Sequence, residues 1–574
     1  MKQKTEYPTW DILSFRDLLD GVEMRYPDNI AYLWRDPATE SGYAERTYAE
    51  AVRDVKALAV YLCAMGLEGK AVAVIGKSSY LWEISFLAVA CGCGVAVPLD
   101  RELRADELSA VLADAECSAV LYGEDMQEKM AAVSLPGLLK LSLANAEDYL
   151  RQGGALRDLG NTAYENHVVD ANAKGILLYT SGTVALSKTV VLSQYNVCSN
   201  ITSVCKRIRI TEEDRALSHL PLHHVYACMA DLALLYSGAS IAFNDSLRRM
   251  PSDLATFRPT LLVTVPAVLE FIAWFVKKGY AEARGGRALF GVQSAATGIV
   301  RHTVGLFSRQ ASAKRQRAIF STVHSFLGGR LRAIMVGAAP LSSQVFSQLE
   351  QYGYAVYLGY GLTESAPICL MHDDQYRSSD DIGFPIPGVE VKIDEPNEDG
   401  IGELCVKGPN IMLGYYKNDE ATSEALRDGW LFTGDLVQKT RTGAYRIVGR
   451  NKSVITLSNG KKVLPEELEH YLLRDALVTE CLVYAEEKDG EQQLCAAVFP
   501  NADALICRME LPENTDLTQL SDEEIARARA ILADTVRYVN DGFPPYKHIK
   551  KIVVRRTPFV KTSTLKIKRY EDSL

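Results

Sequence analysis

Five short β-branched runs punctuate the first 330 residues: VAVIG (72–76), GVAVPLD (94–100), SAVLYG (118–123), GILLYT (175–180) and TLLVTVP (260–266). Between them, stretches such as 45–66 and 104–115 carry apolar residues three and four apart, the spacing of an amphipathic helix. Strand and helix patterns in alternation point to parallel sheets with helices packed on their faces. The expected fold class is α/β, with a large layered N-terminal domain. At 574 residues the chain is too long for one ordinary core, so a second domain is expected.

After about residue 440 the texture changes. YRIVGRNKSVITLSNGKKVLPEELE (445–469) reads as strand, charged turn, strand, glycine turn, strand and a helix entered at Pro465. Short strands in CLVYAEE, LCAAVFP and HIKKIVVRRTPF follow, with a helix over 523–540. This makes a small α+β domain. The expected division is 1–448, a charged linker at 449–452 (GRNK), and 453–574.

Composition narrows the class of partner. A net charge of −9 argues against non-specific nucleic-acid binding, which needs a basic footprint. The longest uncharged apolar stretch, 84–99, is interrupted by glycines and a proline and is too short to span a bilayer. The first fifteen residues lack the apolar core of a signal peptide. The twelve cysteines are scattered without zinc-site spacing, and Cys91 and Cys93 sit in an apolar setting that predicts buried thiols. Reduced cysteines fit a cytoplasmic protein. One segment stands apart: Lys277 to Arg332 holds eleven Lys and Arg against a single acid, Glu282. It reads either as a solvated basic helix pair or as a cationic face for membrane headgroups or cofactor phosphates.

The stretch LLYTSGTVALSKTVVLS (177–193) looks like a phosphate-holding loop. A P-loop passes from its lysine directly into a helix. Here Lys188 is followed by TVVLS, a strand-like run, and Ser187 stands where the preceding glycine belongs. The P-loop reading fails on context.

Motifs far downstream supply another reading. LGYGLTESAP (358–367), GWLFTGDL (429–436), YRIVGR (445–450) and KTSTLKIKR (561–569) resemble, in this order, the signature elements of the adenylate-forming superfamily. That group includes acyl-CoA synthetases, peptide-synthetase adenylation domains and luciferases. Its phosphate loop runs Y-T-S-G-T-T-G-x-P-K-G between two strands. The resemblance implies ATP, Mg2+ and CoA as the small molecules used. It implies phosphate contacts from Thr180, Ser181, Gly182, Thr183 and Lys188, adenine contacts from Gly337, Ala338, Ala339 and Tyr360, and a place for Gly361 in the ATP site. Thr363 would meet the α-phosphate, Glu364 the metal, and Asp435 and Arg450 the ribose. Lys452 would be the hinge residue, Gly460 would lie beside the CoA pantetheine, and Lys566, on a small mobile domain, would bridge carboxylate and α-phosphate. His224, in LPLHHVYA (220–227), matches a histidine of the acyl-pocket segment.

These residue types also suit the chemistry on their own terms. Activating a carboxylate as an acyl-adenylate requires negative charge to be neutralised at the α-phosphate and the departing pyrophosphate. Magnesium takes oxygen ligands. Two ribose hydroxyls suit the two oxygens of a carboxylate.

The basic segment and the LGGRLRAIMVGAAPL that follows resemble long-chain fatty acyl-CoA synthetases. The expected substrate is a fatty acid, with CoA as acceptor and a peripheral contact with a membrane surface. Two alternatives are an enzyme that stops at acyl-AMP or serves an acyl-carrier protein, and a non-catalytic acyl- or nucleotide-binding relative. The second arises because the loop departs from its family: Val184, Ala185, Ser187 and Thr189 replace threonine, glycine, proline and glycine. A weakened but working loop is expected.

Overall fold

The computed structural model describes residues 6–179, 188–272, 316–457, 461–488, 491–512, 515–561, 567 and 569. Two large sheets organise the N-terminal part. In the first, the strands Ile30–Arg35, Ser240–Phe243, Arg215–Ser218, Leu261–Thr264, Ala333–Val336 and Ala355–Gly361 run parallel. Antiparallel strands close both edges. In the second, Leu139–Ser142, Cys117–Tyr122, Lys70–Ile75, Gly94–Leu99 and Lys174–Tyr179 are parallel. Thr189–Ser193 and Gly414–Tyr415 then add antiparallel. Strands such as Lys70–Ile75 are buried on both faces, as their unbroken apolar runs require.

The predicted elements fall close to where the sequence puts them. Ala105–Asp114 is a helix, and GILLYT forms the strand Lys174–Tyr179. The helix expected from 45 begins instead at Tyr48. Residues Tyr43–Thr47 pair with Ile30–Arg35, and the Thr47 hydroxyl then caps the helix by accepting from the Glu50 N–H. Cys91 and Cys93 are buried thiols.

Residues 390–450 form a five-stranded antiparallel sheet, of which the sequence shows only the strand Tyr445–Arg450; that strand pairs with Trp430–Lys439 rather than opening the small domain. Beyond it, the short pair Ile455–Thr456 and Lys462–Val463 leads into the helix Pro465–Leu472. Val478–Lys488, Glu491–Pro500 and Ile549–Val554 make a three-stranded sheet, backed by the helix Asp522–Asp541. These elements share a core of their own, built around residues such as Leu468, Leu472, Ala496 and Leu532.

Most of the basic segment lies outside the described residues, Arg315 included. At its described end Arg330 is exposed, whereas Arg317 and Arg332 turn inward. Arg332 donates to Asp214 at 2.6 Å, and Arg317 donates to the Gly353 carbonyl at 3.3 Å. These two cations hold the fold together rather than facing a ligand.

Candidate active site

In open α/β sheets, ligands bind beyond the carboxyl ends of the strands. Here the strand Ala333–Val336 runs out into Gly337–Ala338–Ala339, and Ala355–Gly361 ends in the short 3-10 turn Thr363–Ser365. The first loop is tightly turned: Ala338 has φ 70°, and the Ala339 N–H donates to the Gly337 carbonyl at 2.9 Å. A Cβ at Gly337 would stand 2.8 Å from the Tyr226 ring, and one at Gly361 only 1.7 Å from the Pro367 carbonyl oxygen. Glycine is needed at both positions for close approach.

Tyr360, at the end of its strand, donates its hydroxyl to Asp435 Oδ2 at 2.5 Å. Asp435 is 2% exposed, and its Oδ1 accepts from Arg450 Nε at 2.8 Å. The pairing is built into the sheet, since Asp435 and Arg450 face each other across neighbouring antiparallel strands. The Asp435 charge helps keep the guanidinium protonated. Burial, reinforced by the same charge, raises the Tyr360 phenol well above its ordinary range, so it remains a donor. Each Asp435 oxygen has two lone pairs, so these two partners still leave acceptor capacity for further hydroxyls.

Four residues along from Tyr360, Glu364 belongs to a second arrangement. Tyr415 donates its hydroxyl to Glu364 Oε1 at 2.8 Å. The Nζ of Lys188 lies 4.8 Å from the centre of the Tyr415 ring, a cation–π distance. Strand pairing brings these groups together, with Tyr415 opposite Val190, two residues from Lys188. The turn that carries Glu364 is held from below. Its carbonyl accepts from the Met412 N–H at 2.9 Å, and the Ser365 carbonyl accepts from Asn410 at 2.8 Å. Thr363 shares this turn.

Tyr415 escaped the sequence reading. A tyrosine within LGYYKN carries no spacing signal, and only the pairing of 414–415 with 190–191 puts it beside Glu364.

The phosphate-loop residues Thr180, Ser181, Gly182 and Thr183 lie outside the described residues, as do Gly460 and Lys566. The flanks of the loop are described. Tyr179 pairs with Thr189 in antiparallel register, so the chain leaves and re-enters one sheet there. Lys188 therefore passes directly into the strand Thr189–Ser193 and not into a helix. His224 is the N-cap position of the helix Val225–Tyr236. Lys452 sits in the 3-10 turn Asn451–Ser453, immediately after the Arg450 strand.

The helix Val225–Tyr236 roofs an open apolar cavity. Tyr226, Met229 and Ala233 line it from that helix, and Ile201 and Val204 from the helix Gln194–Cys205. No charged side chain is among its described lining residues. Val336 and Gly359 also line it, and these directly precede Gly337 and Tyr360. The cavity therefore abuts the polar arrangement.

The sequence matches the family of AMP-binding enzymes over residues 20–416 and the C-terminal domain of AMP-binding enzymes over residues 452–571. The chain belongs to the AMP-binding enzyme family. Among curated relatives of this AMP-binding enzyme is long-chain-fatty-acid–CoA ligase FadD15 of Mycobacterium bovis. It is 29% identical over 495 residues, which cover 83% of this chain and 78% of the relative. Human long-chain-fatty-acid–CoA ligase 1 is 29% identical over 512 residues, covering 81% of this chain and 70% of the relative. Among solved structures, o-succinylbenzoate CoA synthetase from Bacillus subtilis, in complex with the acyl-adenylate OSB-AMP, superposes with a TM-score of 0.71. At 19% identity and 97% coverage of both chains, it shares the fold.

Proposed function

We propose that this AMP-binding enzyme activates a long-chain fatty acid in two steps. The fatty carboxylate attacks the α-phosphorus of ATP, forming acyl-AMP and releasing pyrophosphate. The thiol of CoA then attacks the acyl carbon, and AMP leaves as the thioester forms. The observation that carries the fatty-acid assignment is the apolar cavity abutting Gly337 and Tyr360. With no charged lining residue, it favours an aliphatic chain over a polar acid. The long-chain fatty acid named for the mycobacterial and human relatives agrees with this.

Each group has a task in this reading. Asp435, oriented by Tyr360 and Arg450, accepts the ribose hydroxyls, and the backbone of 337–339 lies along the adenine. Lys188 and the donors of residues 180–183 carry phosphate charge. Glu364 fits Mg2+, which prefers carboxylate oxygen. Among the described residues its second oxygen accepts no hydrogen bond, while Tyr415 fixes the first. The ion would supply charge neutralisation on the phosphates. We assign residues 453–574 as a mobile lid that turns about Lys452, carrying Lys566 to the acid during adenylation and Gly460 to the pantetheine afterwards. Lysine suits a site that must be vacated, being a flexible point charge. The acceptor is taken as free CoA rather than a carrier protein, and the enzyme as cytoplasmic, with peripheral contact with a membrane surface where its substrates partition.

Pyrophosphate exchange with purified protein tests the assignment. Aliphatic acids should support it and benzoate-like acids should not, with thioester appearing only when CoA is added. Exchange supported best by aromatic or amino acids would overturn the fatty-acid reading.

A further inference from the structure

Beside the site just described lies a cluster of metal-ligating side chains, Asp100, His223 and His224, of which only His224 has so far been given a role, in the acyl pocket. The strand Gly94–Leu99 ends at Asp100, whose Oδ1 accepts the Glu102 N–H at 2.9 Å. That backbone contact orients the carboxylate and turns Oδ2 toward His223 Nε2, 3.4 Å away. His223 and His224 follow Pro221 in a tight turn closed by the His224 N–H on the Pro221 carbonyl at 3.1 Å. Their imidazole rings are held together, with centres 4.1 Å apart. One donor atom from each of Asp100, His223 and His224 lies within 4.8 Å of the others.

The His223 side chain is 8% exposed, and its Nε2 meets no hydrogen-bond partner among the described residues. A buried imidazole nitrogen in this position is costly to leave unsatisfied. For one of the three donor pairs the 3.4 Å separation also has a geometric meaning, the other pairs lying within 4.8 Å. Two donors about 2.0–2.1 Å from a tetrahedral ion stand about 3.3–3.4 Å apart. Two imidazoles and one carboxylate are a donor set for a borderline divalent ion, whereas magnesium prefers oxygen alone.

We propose that Asp100, His223 and His224 form a three-ligand site for a divalent transition-metal ion of the zinc type, with its fourth position open to water or an anion. Asp100 and His224 also make other interactions, so the ion exchanges contacts on entry rather than filling a ready cage. Once bound, it ties the end of a strand in one large sheet to the start of the helix that roofs the apolar cavity. The helix is then pinned at the end from which Tyr226 and Met229 face the cavity. The site does not depend on the acid-activation reading, because its test is binding.

The test uses the full chain, stripped with chelator and kept in excess Mg2+. Cys507 is replaced by serine throughout, because it is an exposed thiol that would also take up metal. Cobalt is titrated by visible absorption and zinc by calorimetry. One ion per chain should bind, with the strong visible bands of four-coordinate cobalt and a rise in melting temperature. His223→Gln and Asp100→Asn, similar in shape to the residues they replace, should each weaken binding by about tenfold or more, and should remove the metal-dependent rise in melting temperature. Metal-free melting of each variant separates loss of binding from loss of fold. Absence of saturable binding to the parent would overturn the proposal. So would unchanged affinity in both folded variants, leaving Asp100 and His223 as a plain acid–imidazole contact.

Discussion

Tyr415 donates to Glu364 through its hydroxyl at 2.8 Å while presenting its ring face to Lys188. One side chain thus spaces the cation proposed for phosphate from the carboxylate proposed for magnesium. Burial, helped by the Glu364 charge, raises the phenol far above its ordinary value, so it remains a donor at working pH. Tyr415→Phe keeps the ring and removes the donor. A hydrogen bond to a charged group contributes about 1.5–3 kcal/mol, so adenylation should fall by about tenfold or more. The Mg2+ concentration for half-maximal rate should rise at the same time. Pyrophosphate exchange across a magnesium series measures both, and an unchanged magnesium requirement would separate Tyr415 from the metal.

Lys566 separates the two half-reactions. If its charge is used only while the carboxylate attacks, Lys566→Ala should lower acyl-AMP formation by orders of magnitude. Conversion of supplied acyl-AMP and CoA to thioester should survive nearly intact. Equal loss of both steps in a folded variant would remove the case for a lid that turns between them.

The cavity makes a prediction about chain length. Ala233 is 6% exposed and lines the cavity from the helix Val225–Tyr236. Ala233→Phe would fill space that a long acid needs, and each methylene denied burial costs about 0.8 kcal/mol. The kcat/KM profile over acids of increasing length should shift toward shorter ones, with long acids losing about tenfold or more. A uniform fall at all lengths would mean the ring had disturbed the helix instead.

Most of the large domain was legible because fully buried parallel strands write themselves as apolar runs, as Lys70–Ile75 does. The antiparallel sheet around Trp430–Lys439 was not, since strands such as Glu390–Asp394 are half-exposed and lack such a run. The Asp435–Arg450 pair could be read because each residue sits in its own intact motif. Tyr415 could not, because its place depends on a strand pairing between distant parts of the chain. Charge composition could not place Arg332. A count of cations cannot say which way each one points, and this one turns inward to Asp214.

The last prediction concerns a buried acid pair that the proposed chemistry does not use. Glu83 is 1% exposed, and among the described residues neither of its carboxylate oxygens meets a partner in good hydrogen-bond geometry, although the Tyr32 hydroxyl nearby eases its charge slightly. Asp231 lies close by, with its Oδ2 accepting from the Ser218 hydroxyl at 2.7 Å. Burial raises both acids, and the neighbouring Asp231 raises Glu83 further. Asp231 is pushed up to about 7 from its ordinary 3.8. The folded protein therefore retains protons here that the unfolded chain has already released. Where the native state binds more protons, stability falls as pH rises. The Asp231 contribution is fully present below the ordinary carboxylate range and is lost progressively up to about pH 7. Melting temperature measured across this window should carry a downward component with rising pH. Asp231→Asn keeps an oxygen for Ser218 but cannot ionise, and it also relieves Glu83 of a charged neighbour. It should flatten that component, and Glu83→Gln should do the same. If both variants melt with the parent's pH dependence, the pair is ionised in the fold and the buried-proton account is wrong.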